Sequence, residues 1–197
     1  GAMAMTVAYL DDPGLVRQLL QRCSEVRQAV VARLEELCPA WHGTHAAGGY
    51  PSKIWCRGRT AYYQEDAAAL LSPGLFREFL LPAARAAAAA GGTSFVHLHS
   101  SCLYTVDVLQ EEKVFDVLEI NLDHKGSGPV LREILPVLQR IQAAHCPLML
   151  WGEMSPEEWR LMREHLRPEG LSLQPIAATE ADAERQVRCW REWRTCK

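Results

Sequence analysis

The sequence predicts an α/β fold in which parallel strands alternate with outer helices, as in part of a (β/α)8 TIM barrel. Short β-prone runs at 60–64, 94–99, 117–122, 147–151 and 171–176 are each followed by helical apolar spacing, giving five strand–helix units in a row. No glycine-rich phosphate loop follows the first strand, which argues against an open doubly wound sheet. A complete barrel takes about 250 residues and eight strands. This chain of 197 residues offers five, so a single domain over 6–197 with a partial barrel is expected.

The elements follow in order. Gly1-Ala2-Met3-Ala4-Met5 reads as a cleavage scar and is set aside. Asp11-Asp12-Pro13 offers a cap and a proline at the start of a long amphipathic helix. Its pattern is Leu15, Val16, Leu19, Leu20, Cys23, Val26, Val30, Val31, Leu34 and Leu37, ending before Pro39. The stretch 39–53 reads as a loop rich in aromatic and imidazole groups. Ser72-Pro73 opens a helix through Phe76, Phe79 and Leu80, because proline suits the first helical position. Pro82 is expected to interrupt it, with a second helical stretch at 83–90. Further helices are expected at 104–110, 130–144, from a Ser155 cap onward, and at 179–191.

Composition narrows the function classes. The chain is 48% hydrophobic and 23% charged, an ordinary globular balance. A net charge of −3 and a pI near 6.2 give no basic footprint for nucleic acid. No apolar run approaches the roughly 20 residues that span a bilayer. The seven cysteines include no C-x-x-C pair, so a reduced cytoplasmic setting is expected and a four-cysteine zinc site is not.

Functional groups in such folds gather at the C-terminal strand ends. Those ends offer Glu65 and Asp66, then His97 and His99, then Asp123 and His124, then Glu153, and finally Gln174. His97 and His99 are two apart on a strand, so both rings point to one face. Two imidazoles with a carboxylate from Asp123 or Glu153 form a set that zinc accepts. The plainer reading is a histidine hydrogen-bonded to a neighbouring strand end, where a neutral ring still serves as an acid–base group. His97, Asp123 and Glu153 are the catalytic candidates. Glu65, Asp66, Trp41, His42 and Gln174 are the substrate-binding ones. For Asp66 and Glu153 the alternative is helix capping, and for Asp123 pairing with Lys125. Cys102 reads as a soft ligand or a buried inert thiol; Trp190 and Trp193 read as packing or a surface partner patch.

Several motifs carry a family resemblance. Tyr63-Gln64-Glu65-Asp66-Ala67-Ala68-Ala69-Leu70-Leu71-Ser72-Pro73 with Phe76, Phe79 and Pro82 is similar to a signature of the uroporphyrinogen decarboxylase superfamily. His97-Leu98-His99-Ser100, Asp123, Gly152 before Ser155-Pro156, Thr179-Glu180 and Leu10-Asp11-Asp12-Pro13 resemble later and earlier features of the same barrel. The resemblance runs from about Tyr9 to Trp190 and corresponds to strands 4 to 8. It implies a small-molecule enzyme, either a methyltransferase served by a corrinoid on a partner protein or a porphyrin-pathway carboxy-lyase. The decarboxylases' arginine-rich N-terminal motif has no counterpart here. The methyltransferases' zinc-binding cysteine is replaced by His99, and the last-strand stretch 171–175 has no thiol. An upstream half-barrel, or self-association through open sheet edges into a dimer, is the partner expectation. A non-catalytic binding or assembly fragment is the alternative from another class.

Overall fold

The computed structural model describes residues 2–37, 44–45, 58–90, 92–123 and 127–195. Trp41 and His42 lie outside the described residues, as do Tyr50, Trp55, His124 and Lys125. The chain divides into two compact units, Gly1–His97 with Tyr104–Asp116, and Leu98–Leu103 with Val117–Lys197.

The first unit opens with α1 (Ala2–Asp11) and α2 (Pro13–Leu37). Ala2–Met5, within the segment read as a cleavage scar, lie in this helix, since Met and Ala are good helix formers. Asp12 caps α2 as expected, its Oδ1 accepting from the Leu15 N–H at 3.0 Å. Strands β1 (Thr44–His45), β2 (Gly58–Gln64) and β3 (Thr93–His99) follow, with α3 (Pro73–Leu75), α4 (Leu81–Ala88) and α5 (Tyr104–Glu111) between and after them. β1 pairs parallel with β2 (Thr44 with Gly58), so the stretch expected to be loop contains a short strand. β2 pairs parallel with β3, Gln64 standing opposite His97.

Pro82 does not break its helix. Residues Phe76–Leu80 form a π-helical turn that runs directly into α4, with Pro82 near its start. A proline has no N–H to donate, and the wider turn before it takes up the ring without ending the helix. Ser72 caps this composite helix through the Leu75 N–H at 3.3 Å. Its inner face carries Phe76, Phe79 and Leu80, all buried. Tyr62 packs edge-on against Phe95, and Tyr63 stacks on Phe115.

α2 departs most from expectation. Its buried or half-buried row is Val16, Leu20, Ser24, Arg27, Val31 and Glu35, half of it polar. Arg27 donates to the Tyr62 carbonyl and lies over the Tyr63 ring, and Glu35 pairs with Arg59. The more apolar neighbouring row faces outward.

The second unit contains β4 (Val117–Asn121), β5 (Leu148–Glu153) and β6 (Leu171–Ile176) in that order, all parallel. Ile120, Leu148, Met149 and Leu150 are fully buried, as strands covered by helices require. α6 (Leu131–Ala143), α7 (Pro156–His165) and α8 (Glu180–Thr195) lie between and after them. Ser155 caps α7 in a reciprocal box: its Oγ accepts from the Glu158 N–H at 3.3 Å, and Glu158 Oε2 accepts from the Ser155 N–H at 2.8 Å. Pro175 lies in β6, at the end of this strand order, where a missing N–H is tolerated. Trp193 is buried and meets Trp190 edge-on, as a packing role requires.

The expected α/β class, with parallel strands flanked by helices, is what the structure has. β2 to β6 are the five strands read from the sequence, and β1 is an addition. Among the described residues no helix is long and apolar enough to cross a membrane.

Candidate functional site

In the second unit the chain leaves β4 and β5 at a cleft of about 560 Å³. Its walls combine Asn121 at the end of β4, Asp123 just after it, Glu153 at the end of β5, and Arg185 and Gln186 on α8. His99, the last residue of β3, also lines it.

A histidine–aspartate pair anchors one side. The His99 Nδ1–H donates to Asp123 Oδ1 at 2.5 Å, with the Asn121 amide nitrogen 3.4 Å from the same ring nitrogen. Asp123 Oδ2 accepts from the Ser100 hydroxyl at 2.9 Å and the Ser101 N–H at 3.1 Å. Ser100 Oγ in turn accepts from the Asp123 N–H at 3.2 Å. The carboxylate is thus held from both oxygens, its side chain 11% exposed against 27% for His99.

Burial pushes the Asp123 carboxyl upward, but hydrogen bonds from His99 and Ser100, the His99 charge and the Ser101 N–H outweigh it. The group lies below the ordinary aspartate range. The unfolded chain therefore binds the proton first as pH falls. The stabilisation is full above the ordinary aspartate value and disappears as pH drops through the lowered one. Asp123 holds the ring at Nδ1, so that when His99 is neutral its proton lies on Nδ1 and its basic lone pair on Nε2.

Glycine shapes the wall beside this pair. A Cβ at Gly128 would lie 2.9 Å from Asp123 Oδ2 and 3.1 Å from Ser100 Oγ, so only glycine lets the chain lie against the carboxylate. On α8, Arg185 is held by Asp182 at 2.9 Å, and buried Gln186 has an amide oxygen with no hydrogen-bond partner among the described residues. A buried amide acceptor beside a cleft is a ready contact for a ligand donor.

The sequence candidates separate as follows. Asp123 and Glu153 share this cleft, and the histidine with them is His99. His97 is buried in the first unit, where it and Asp66 offer ligand atoms within 4.8 Å of each other. That spacing lets a divalent cation bridge them. Asp66 opens a short 3-10 helix, Asp66–Leu70, and accepts from the Gln64 amide at 2.8 Å. The Ser72 helix has its own cap, so Asp66 does not cap it. Glu153 is exposed and lines the cleft, while Ser155 and Glu158 cap α7. Gln174 donates to Met149 Sδ at 2.9 Å and is not part of the cleft lining. Cys102 is buried, its thiol donating to the His99 carbonyl at 3.3 Å. Ser100 and Gln186 were not singled out from the sequence. Ser100 directly follows His99, which is a usable signal; nothing local marks Gln186 among the polar residues of α8.

Glu65 belongs to the first unit. Burial raises its carboxyl, the Tyr63 hydroxyl (3.2 Å from Oε2) lowers it, and the Asp66 charge raises it again; the net is upward. Here the folded state holds the proton longer, so the stabilisation is complete below the ordinary glutamate value and is lost as pH rises through the raised one. Glu65→Gln should therefore raise Tm at pH 8 by about 2–4 °C, for about 1 kcal/mol, and leave it nearly unchanged at pH 4. Thermal melts at the two pH values check this. An equal shift at both would deny the titration.

Compared with known proteins, the chain matches no family model and no curated protein.

Proposed function

We propose that the cleft in the second unit is the acid–base site of a small-molecule enzyme, of the methyltransferase type that the family resemblance implies. The observation that carries this reading is the His99–Asp123 pair: a half-exposed imidazole in a cleft, with its carboxylate held by two further donors. Such a ring accepts a proton at Nε2 while Asp123 steadies the imidazolium that forms. In methyl transfer to a thiol, the proton removed is the thiol's. Gln186 and Glu153 are the groups that would orient the acceptor. The methyl source would be a corrinoid on a partner protein, and the site would be completed by an upstream half-barrel or a second copy.

The test is methyl transfer from methylcob(III)alamin to small alkyl thiols, followed by loss of the methyl–cobalt absorbance. Turnover that disappears in His99→Gln supports the proposal. No turnover with any thiol in the correctly folded chain sinks it and leaves the binding or assembly reading.

The carboxy-lyase reading is weaker on charge. A polycarboxylic tetrapyrrole needs cations, whereas Asp123, Glu153, Glu158 and Asp182 line the cleft and Arg185 is already paired.

Zinc is the second reading that an observation favours. His97 and Asp66 of the first unit, whose ligand atoms lie within 4.8 Å of each other, are residues that would hold it. Zinc would supply an acidified thiol or water. Metal analysis after chelator-free purification tests it: one zinc per chain, lost in His97→Ala, supports the reading, and a metal-free folded chain denies it.

A further inference from the structure

We propose that the outward face of α2 is a self-association surface on which a second copy of this chain lays its own α2 antiparallel. The observation is a helix apolar on two adjacent rows. The row that α2 turns inward is Val16, Leu20 and Val31 with Ser24, Arg27 and Glu35, while the adjacent outward row is Leu15, Leu19, Cys23, Val26, Val30, Leu34 and Leu37. Six of these are 37% to 60% exposed, and Cys23 is exposed.

The spacing selects the occupant. Leu15, Val26 and Leu37 recur every eleven residues, as do Leu19 and Val30, so the row runs nearly straight along the helix for about 33 Å. It is also nearly palindromic about Val26. A two-fold axis there sets Leu15 against the partner copy's Leu37, Leu19 against Leu34, Cys23 against Val30, and Val26 against itself. Such an isologous contact closes at two copies. The rim raises no charge penalty, because Arg22 pairs with Glu25 and Arg33 with Glu36 along the same helix. The antiparallel arrangement also opposes the two helix dipoles. Seven half-exposed side chains form a contiguous patch on the order of several hundred Å², the upper end of what monomers leave in water. With its rims, a seam of this length approaches the roughly 800 Å² per partner of a standard interface. The inference stands apart from the chemistry of the cleft.

Sedimentation equilibrium tests it. The chain should be a dimer at low micromolar concentration, and the double variant Val26→Glu/Val30→Glu should weaken association at least about 100-fold with an unchanged thermal melt. Should that variant fail to fold, Val26→Cys decides: mild oxidation should link position 26 to its own copy, read by mass spectrometry of the joined peptide. A monomer at about 100 μM overturns the inference, whether a segment of this chain or another protein covers the stripe. So does a dimer that survives the double variant, or that cross-links only elsewhere, which would point to pairing at sheet edges.

Discussion

His99→Gln should lower turnover in the methyl-transfer assay by about 10²–10⁴-fold, the range that loss of a positioned general base produces. Glutamine keeps a polar group at the cleft wall but has no basic nitrogen. Asp123→Asn should cost a comparable factor for a different reason. The amide can present its NH2 to Nδ1, which moves the ring proton to Nε2 and takes the basic lone pair away from the substrate. Both losses should fall on kcat more than on KM, since the proton moves only in the transition state. The double variant should be hardly worse than either single one, because the residues act as one unit. Additive losses would mean that they act separately and would undo the dyad. A melt within a few degrees of the parent is the necessary control, as Asp123 also ties together Ser100 and Ser101.

Gly152→Ala should destabilise the chain by about 2–4 kcal/mol and lower Tm by roughly 5–15 °C. Two effects combine. Gly152 has φ of +147°, a conformation that L side chains rarely adopt. A Cβ there would also lie 2.8 Å from the Leu122 carbonyl oxygen and 2.9 Å from the Leu122 Cβ. The backbone of Leu122 cannot step aside, because its N–H donates to the Trp151 carbonyl at 2.7 Å and the next residue is Asp123. Gly170→Ala is the internal control. That glycine has φ of +71° with nothing within 4 Å of the added Cβ, so only the conformational cost of about 1–2 kcal/mol applies. Denaturant titration of both variants checks the difference. Equal losses would show that the clash relaxes.

The two predictions meet in one place. Leu122, wedged by Gly152, is the residue that delivers Asp123 to His99, while Gly128 lets the following loop lie against that carboxylate. Glycine at both positions is a steric requirement of the cleft.

The local elements were legible because short-range physical rules write them. Ser155 with Glu158, Asp12 before α2 and Ser72 before Pro73 are caps, readable from spacing alone. The strand runs around Phe95, Ile120 and Leu150 are continuous apolar stretches that only buried parallel strands sustain. Which end of each strand carries the loops was legible for the same reason, since strand polarity sets it.

Tertiary structure decided what alternation and periodicity leave degenerate. His97 and His99 have the same period and the same chemistry. Burial of the first beside Asp66 and partial exposure of the second beside Asp123 depend on neighbours distant in sequence. The apolar rows of α2 were likewise equivalent by spacing, and the inward side was settled by Arg27 reaching the Tyr62 carbonyl, a contact 35 residues away. Pro82 reads locally as a breaker, yet a π-helical turn carries the helix through it. Hydrophobic period and capping are properties of one segment; which face is covered, and which of two like side chains meets a carboxylate, are properties of segments brought together.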